Sequence, residues 1–388
     1  MMKASIDIWG EATMKFYNAK VLGDDFTFKN ASVEVENGVF TKIDESNSTG
    51  DIDVEGKYII PGLIDTHMHA AKGKTFIDFD DETNDIIFGL EAKMGTTSLC
   101  PAISAAPTKK MLGCIKNLVE YKRKDGSARC MGIHLEGPYF AVEYKGAHLP
   151  ENIRKPTVEE TKTLIEAGKG MVKIITMAPE LEGAKESIEL LRENNIVVSI
   201  GHTNATYEQA IKGIDMGATQ STHTFNAMSG LNHRMPGTVG AVLGDDRVKC
   251  EFICDFFHVS PHVVKMAYKL KGDDNINMIT DSELGTGLGD GEYEVNGRKI
   301  IVKNGETRTE DGTIAGGTSF LIDGVRNMVS IGVPLESAVK MASLNPAKTI
   351  GEDDKIGSIK EGKWADFIIL DNDLNICDVY IGGERVKR

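Results

Sequence analysis

The residues best suited to chemistry form a sparse series along the chain. They are His67 and His69 in Asp65-Thr66-His67-Met68-His69, Glu136 in His134-Leu135-Glu136-Gly137-Pro138, His202 in Gly201-His202-Thr203-Asn204, His223 in Ser221-Thr222-His223-Thr224, and Asp281 in Met278-Ile279-Thr280-Asp281. His67 and His69 alternate, so in an extended chain their rings face the same way. Two imidazoles at that spacing suit a divalent metal, although an isolated His-x-His beside a turn reads equally well as plain surface. Imidazole and carboxylate donors without thiolates suit Zn²⁺ or Fe²⁺ in a hydrolytic site that keeps a position open for water. A metal of that kind polarises a carbonyl and lowers the pKa of water to about 7. The reaction also needs a group that takes the water's proton and later protonates the leaving group. Asp281, last in the series, serves as both in turn.

A set of residues so far apart in sequence needs a scaffold that brings element ends together. From Tyr58 onward short apolar runs alternate with amphipathic helical segments, the pattern of βα units and a parallel sheet. The expected strands are Tyr58–Ile64, Thr97–Cys100, Met131–Leu135, Val172–Met177, Ile196–Ile200, Gln220–Thr222, Cys250–Cys254 and Asn277–Ile279. Between them lie helical segments such as Asp85–Met94, Thr108–Lys124, Thr157–Ala167, Ala184–Glu193, Thr206–Met216 and His262–Leu270, several capped by Thr or Asp. Eight parallel strands close into a (β/α)₈ barrel with its active site at their C-terminal ends. The residues just beyond the strands are then the reactive ones: His67 and His69, Glu136, His202, His223 and Asp281. Chance places one or two such groups at a barrel rim, but hardly six.

The flanks have a different texture. Residues from Lys15 to Glu55 alternate and turn like β structure, with Glu36-Asn37-Gly38 as a tight turn. Phe367-Ile368-Ile369-Leu370 and Val379-Tyr380-Ile381 repeat that texture near the other end. Neither piece is long enough to stand alone. The expectation is one small β-sandwich built from residues 1–57 and 353–388 beside a barrel of residues 58–352.

Composition narrows the partners. The net charge is −14 with no basic stripe, which argues against a nucleic-acid partner. The six cysteines show no CxxC pair and read as reduced, buried small hydrophobes. Met1-Met2-Lys3-Ala4-Ser5-Ile6-Asp7 lacks the apolar core of a signal peptide, and no apolar run has bilayer length, so a cytoplasmic location is the expectation. His134 faces inward one layer below Glu136 and reads as a buried, hydrogen-bonded histidine. Lys173 sits at the start of its strand, the wrong end for a metal bridge, which leaves Glu136 as the better bridge between two metals.

These stretches resemble the amidohydrolase superfamily in the opening strand with its His-x-His, the positions of the metal residues and the Gly362-Lys363-Trp364-Ala365-Asp366 tail. More narrowly, Lys145-Gly146-Ala147-His148, Ala178-Pro179-Glu180, Gly201-His202-Thr203-Asn204-Ala205-Thr206 and Thr222-His223-Thr224-Phe225-Asn226-Ala227-Met228 are similar to its amino-sugar phosphate deacetylase branch. The resemblance implies hydrolysis of the acetamide of N-acetylglucosamine 6-phosphate to acetate and glucosamine 6-phosphate. It implies a principal metal on Glu136, His202 and His223, with Asp281 as acid/base. Ala147, His148, Asp255 and His258 would meet the sugar. Asn226 and Ala227 would bind the phosphate together with Arg234, which in the family comes from the neighbouring subunit and implies a homodimer. Ile314-Ala315-Gly316-Gly317 matches a pocket segment. Two loops depart from the family pattern: Cys254-Asp255-Phe256-Phe257-His258 and Ser282-Glu283-Leu284-Gly285-Thr286-Gly287-Leu288. Both border the sugar, which leaves N-acetylgalactosamine 6-phosphate as an alternative substrate. A cyclic-amide hydrolase of the same superfamily would want a lysine where this chain has Thr176-Met177-Ala178-Pro179. His67 and His69 then bear on whether one or two metals bind.

Overall fold

The computed structural model describes residues 13–46, 48–295, 298–303, 305–309 and 314–388. The Met1–Asp7 stretch read above lies outside them. Eight parallel strands follow one another around a nearly closed barrel: Leu63–Met68, Thr96–Ser104, Ile133–Glu136, Val172–Met177, Val197–Ile200, Gln220–Ser221, Lys249–Ile253 and Ile276–Ile279. Neighbours are in parallel register, as in Ile174 opposite Val197 and Phe252 opposite Met278. The seam between last and first strands is held by the Asp281 backbone N–H, which donates to the His67 carbonyl at 2.9 Å. The fold expected from the strand count is the fold observed.

Outer helices cover the strands with apolar stripes. In helix Ala184–Glu193 the buried residues are Ala184, Ser187, Ile188 and Leu191, spaced as one face of a 3.6-residue repeat. Thr157 and Thr206 cap the helices that follow them, each accepting a backbone N–H with its side-chain oxygen. Because the strands are covered outside and filled inside, they read as continuous apolar runs.

The first expected strand, Tyr58–Ile64, is two strands. Tyr58–Pro61 belongs to the sheet of the chain ends, antiparallel to Phe367–Leu370 and parallel to Met14–Leu22. The barrel strand starts at Leu63. The switch falls at Gly62, where a Cβ would lie 2.1 Å from Thr97 Oγ1, so only glycine lets the chain pass this close to the second strand. The apolar run gave no sign of the break because both halves are buried.

The outer sheet runs in the order Glu384–Arg385, Ile376–Ile381, Phe367–Leu370, Tyr58–Pro61, Met14–Leu22, Phe28–Glu36 and Val39–Asp44. It folds back on itself, since Phe40 N–H donates to the Lys363 carbonyl and Ala365 N–H to that of Gly38. Phe16, Phe40, Phe367 and Tyr380 pack ring against ring inside the fold. A further sheet was not expected: Gly291–Val295, Arg298–Lys303, Glu306–Thr309 and Ile314–Gly317 form antiparallel strands between the last barrel strand and helix Leu321–Ser330. Its strands are charged and short, with little alternation to mark them. Among the described residues no helix is long and apolar enough to cross a membrane.

Candidate metal centre and active site

His202, His223 and Asp281 all follow barrel strands with positive φ, at 49°, 30° and 47°. Non-glycine residues rarely adopt that conformation, and it concentrates at functional sites. Here it turns each side chain across the barrel mouth at the point where the strand stops. His67 and Glu136 reach the same place from within their strands, and His69 from just beyond Met68.

The side chains converge on one carboxylate. Glu136 Oε1 lies 3.2 Å from Nε2 of both His202 and His223 and 3.4 Å from His67 Nε2. Its Oε2 lies 3.3 Å from His69 Nε2 and 3.0 Å from His148 Nε2. Asp281 Oδ1 stands 3.4 Å from His69 Nε2 and 3.6 Å from His67 Nε2. His67 and His69 approach at 3.2 Å, nitrogen to nitrogen, and His202 and His223 at 3.1 Å. Donors around a four-coordinate ion are roughly 3.3 Å apart. Three ligand groups result among the described residues: His67 with His69 and Asp281, His67 with His134 and Glu251, and Glu136 with His148 and His202.

The far sides of three rings, His67, His69 and His202, fix which nitrogen faces inward. His67 Nδ1 donates to Glu251 Oε2 at 3.1 Å and His202 Nδ1 to the Tyr144 carbonyl at 2.8 Å. Ser104 Oγ sits 3.0 Å from His69 Nδ1. A neutral ring anchored through Nδ1–H presents its Nε2 lone pair to the centre, as metal ligands require. The donor set fits a divalent metal.

The imidazoles and carboxylates of the site shift one another's pKa values. Burial alone lowers the pKa of His67, but Asp281, Glu136 and Glu251 carry it well above its ordinary value. His69 goes to about 10 against its burial, chiefly through Glu136 and Asp281. Burial raises Asp281, yet His67 and His69 hold it well below the usual carboxylate range. His202, where burial outweighs Glu136, falls to about 4.

The residues expected around this centre spread over its rim. His148 is drawn in against Glu136 and packs on the rings of Phe140 and His202. Gly146 lies against His202, and Ala147 is exposed. Asp255 is buried; its Oδ1 accepts the backbone N–H groups of Phe257 and His258, and its Oδ2 accepts from His258 Nδ1 at 2.7 Å. Asn226 donates to the His223 carbonyl, and Ala227 follows with φ 47°. Arg234 is exposed on a loop with Leu231 and Met235. Ile314, Ala315 and Gly316 lie in the strand ending at Gly317. A Cβ on Gly316 would sit 2.2 Å from Glu283 Cγ. His134 is buried as expected, Nδ1 donating to the Thr66 carbonyl and Nε2 paired with Thr176 Oγ1. Lys173 pairs with Glu352 at the opposite end of the barrel.

Glu251, Ser104 and Tyr144 were missed. Glu251 lies inside a strand and not at its tip, where a barrel places its reactive residues. An acidic residue in the middle of the apolar Cys250-Glu251-Phe252-Ile253 run was the available signal, because a buried charge needs a partner.

The chain belongs to the amidohydrolase family, whose model matches residues 58–386. That family is metal-dependent, in keeping with the ligand groups at the barrel mouth. Among its relatives, N-acetylgalactosamine-6-phosphate deacetylase of Escherichia coli O157:H7 is 36% identical over 335 residues, covering 85% of this chain and 88% of that protein. N-acetylglucosamine-6-phosphate deacetylase of Vibrio furnissii is 34% identical over 331 residues, covering 84% and 82%. A mutant N-acetyl-D-glucosamine-6-phosphate deacetylase from Mycobacterium smegmatis, solved with N-acetyl-D-glucosamine-6-phosphate, superposes with a TM-score of 0.91 at 31% identity, covering 97% of this chain and all of that one.

Proposed function

We propose that this chain hydrolyses the acetamide of N-acetylglucosamine 6-phosphate, releasing acetate and glucosamine 6-phosphate. The observation that carries the reading is the convergence of five imidazoles on Glu136 beside Asp281, in a chain whose relatives are amino-sugar phosphate deacetylases. Glu136, His202 and His223 would hold the principal metal, Zn²⁺ or Fe²⁺, and His67 and His69 are the residues that would hold a second where two bind. The chemistry such a cation supplies when bound is Lewis acidity toward an amide carbonyl and a lowered pKa for water.

Asp281, whose carboxyl is held below its ordinary pKa, is ionised at neutral pH and is the base. It takes a proton from water as the oxygen adds to the acetyl carbon. It then gives that proton to the amide nitrogen, the C–N bond breaks, and acetate and the free amine separate. His148, Ala147 and the Asp255–His258 pair position the sugar, and the Ile314–Gly316 strand closes one wall. Asn226 and the Ala227 backbone meet the phosphate. Arg234 completes that subsite from the second subunit of a homodimer, in keeping with its place on an exposed loop beside Met235 and Leu231. A guanidinium fork suits phosphate and gives local positive potential on an acidic protein.

The galactosamine epimer is the second reading, favoured by the Escherichia coli relative. Acetate release by metal-replete protein from both phosphorylated N-acetylhexosamines, compared as kcat/KM, tests the activity and ranks the epimers. If both stay intact while a cyclic amide opens, the deacetylase reading fails.

A further inference from the structure

Glu251 is fully buried, and among the described residues its one ion-pair partner is His67. Its two oxygens do separate work. Oε2 accepts from His67 Nδ1 at 3.1 Å and also from the backbone N–H of His223 at 3.3 Å. Oε1 accepts from Gln220 Nε2 at 2.7 Å. Gln220 is in turn fixed by Asn277, whose Nδ2 donates to Gln220 Oε1 at 2.9 Å and lies 2.9 Å from Thr349 Oγ1. A line of buried hydrogen bonds thus ties the carboxylate to the far end of the barrel, where Thr349 belongs to the short helix Leu344–Thr349.

This arrangement has a specific chemical meaning. A carboxylate on Nδ1 commits the His67 proton to that nitrogen and leaves Nε2 as a lone pair facing Glu136 and His69. An unpaired buried carboxylate is costly, so Glu251 favours whatever keeps positive charge on the far side of the ring. Through one oxygen it also sets the backbone of His223, a residue of the other ligand group. His69, by contrast, has only the hydroxyl of Ser104 behind it, and His202 a carbonyl.

We propose that Glu251 is a positioning residue that makes His67 and His69 a second cation site, by fixing the His67 ring so that its Nε2 faces the Glu136 bridge. The proposal rests on the reading of Glu136, His202 and His223 as ligands of a first ion, and it deepens that reading by naming what decides the second.

The test counts metal and needs no substrate. Wild-type, Glu251→Gln, His67→Ala and the double variant are loaded with excess Zn²⁺, desalted and assayed by elemental analysis, with affinities from chelator competition. Two ions per chain are expected for wild type and one for each variant, with a weaker site lowered at least ~10-fold in affinity by Glu251→Gln. The double variant should lose no more than His67→Ala alone. A wild-type count of one overturns the proposal, as does a Glu251→Gln protein that keeps both ions at wild-type affinity or loses both. Should Glu251→Gln fold poorly, proton NMR of Zn²⁺-loaded wild-type protein should show a downfield imidazole N–H that His67→Ala removes. Its absence counts against the proposal equally. Failure of acetate release from both hexosamine phosphates would leave these counts untouched and would bear on the reaction alone.

Discussion

The two ends of the barrel solve opposite problems with similar residues. At the N-terminal end Lys173 pairs with Glu352 at 3.1 Å. Lys249 reaches the Asn345 carbonyl and Thr349 Oγ1, while Asn345 donates to the Ile276 carbonyl. The Ile64 N–H donates to the Ala342 carbonyl, so the segment from Ala342 to Glu352 closes this floor. Cations there face anions and donors face acceptors. At the mouth imidazole nitrogens crowd one another at 3.1–3.2 Å around the shared Glu136 carboxylate, with His202 and His223 on backbone bent to positive φ. Such a cluster is tolerable only when a shared cation or shared protons occupy it. Polar burial by itself therefore does not mark an active site; several like groups crowded around one carboxylate do.

Four substitutions probe that contrast, beginning with the mouth. Asp281→Asn keeps the shape and removes the base. Turnover should fall by roughly 10²–10⁴ with metal content near wild type. Full turnover would remove Asp281 from the mechanism and leave the mouth without its base.

The second test concerns the wall between the ends. Glu91, buried on helix Asp81–Lys93, has its carboxyl pushed from 4.5 up to about 8 by burial, with the charge of Asp65 adding to the effect. The folded protein therefore holds a proton that the unfolded chain releases. The stabilisation is complete below the unfolded pKa of about 4.5 and is lost as pH rises toward 8, at up to about 1.4 kcal/mol per pH unit. Glu91→Gln should flatten that slope and raise the Tm more at pH 8 than at pH 5. Parallel melting curves for the two proteins would mean that Glu91 stays ionised in the fold.

Arg234→Ala asks whether the mouth is completed from outside. Losing a charge-assisted contact of about 1.5–3 kcal/mol should raise KM for the phosphorylated sugar at least ~10-fold while kcat changes little. Dilution below the dissociation constant of the proposed homodimer should mimic it. An unchanged KM would return Arg234 to the surface. The smallest effect belongs to the floor: Lys173→Met should cost about 1 kcal/mol in denaturant unfolding and leave kcat alone, because the pair is partly exposed and Glu352 keeps Lys355. A large loss of turnover would show the two ends to be coupled.

Much of this was legible in sequence because the fold obeys a positional rule. Once the βα alternation gave a barrel, the residue beyond each strand was a chemical candidate, and His67, His69, Glu136, His202, His223 and Asp281 do meet. What escaped depends on contacts that no local pattern encodes. The sheet switch at Gly62 is set by Thr97, a residue on the next strand. Glu251 points inward from the middle of a strand and meets His67, 184 positions away. His148, a sugar contact by motif, also stands against Glu136, a contact set by the loop that carries it, whose carbonyl at Tyr144 holds the His202 ring.

The fold-back of the outer sheet also sets a timetable. Ile43 N–H donates to Glu361 Oε1 across 318 positions, and Tyr58–Pro61 waits for Phe367–Leu370. During synthesis the strands from Met14 to Pro61 emerge early and can pair among themselves, but Tyr58–Pro61, Gly38 and Phe40 meet their C-terminal partners only after the whole barrel has been made. Until then Phe16, Phe40 and Ile59 have no finished core to enter. Contacts of such sequence separation form slowly, and open strand edges are prone to pair with other chains. The vulnerable moment in this protein's making therefore falls at its first-made strands, and the last-made ones relieve it.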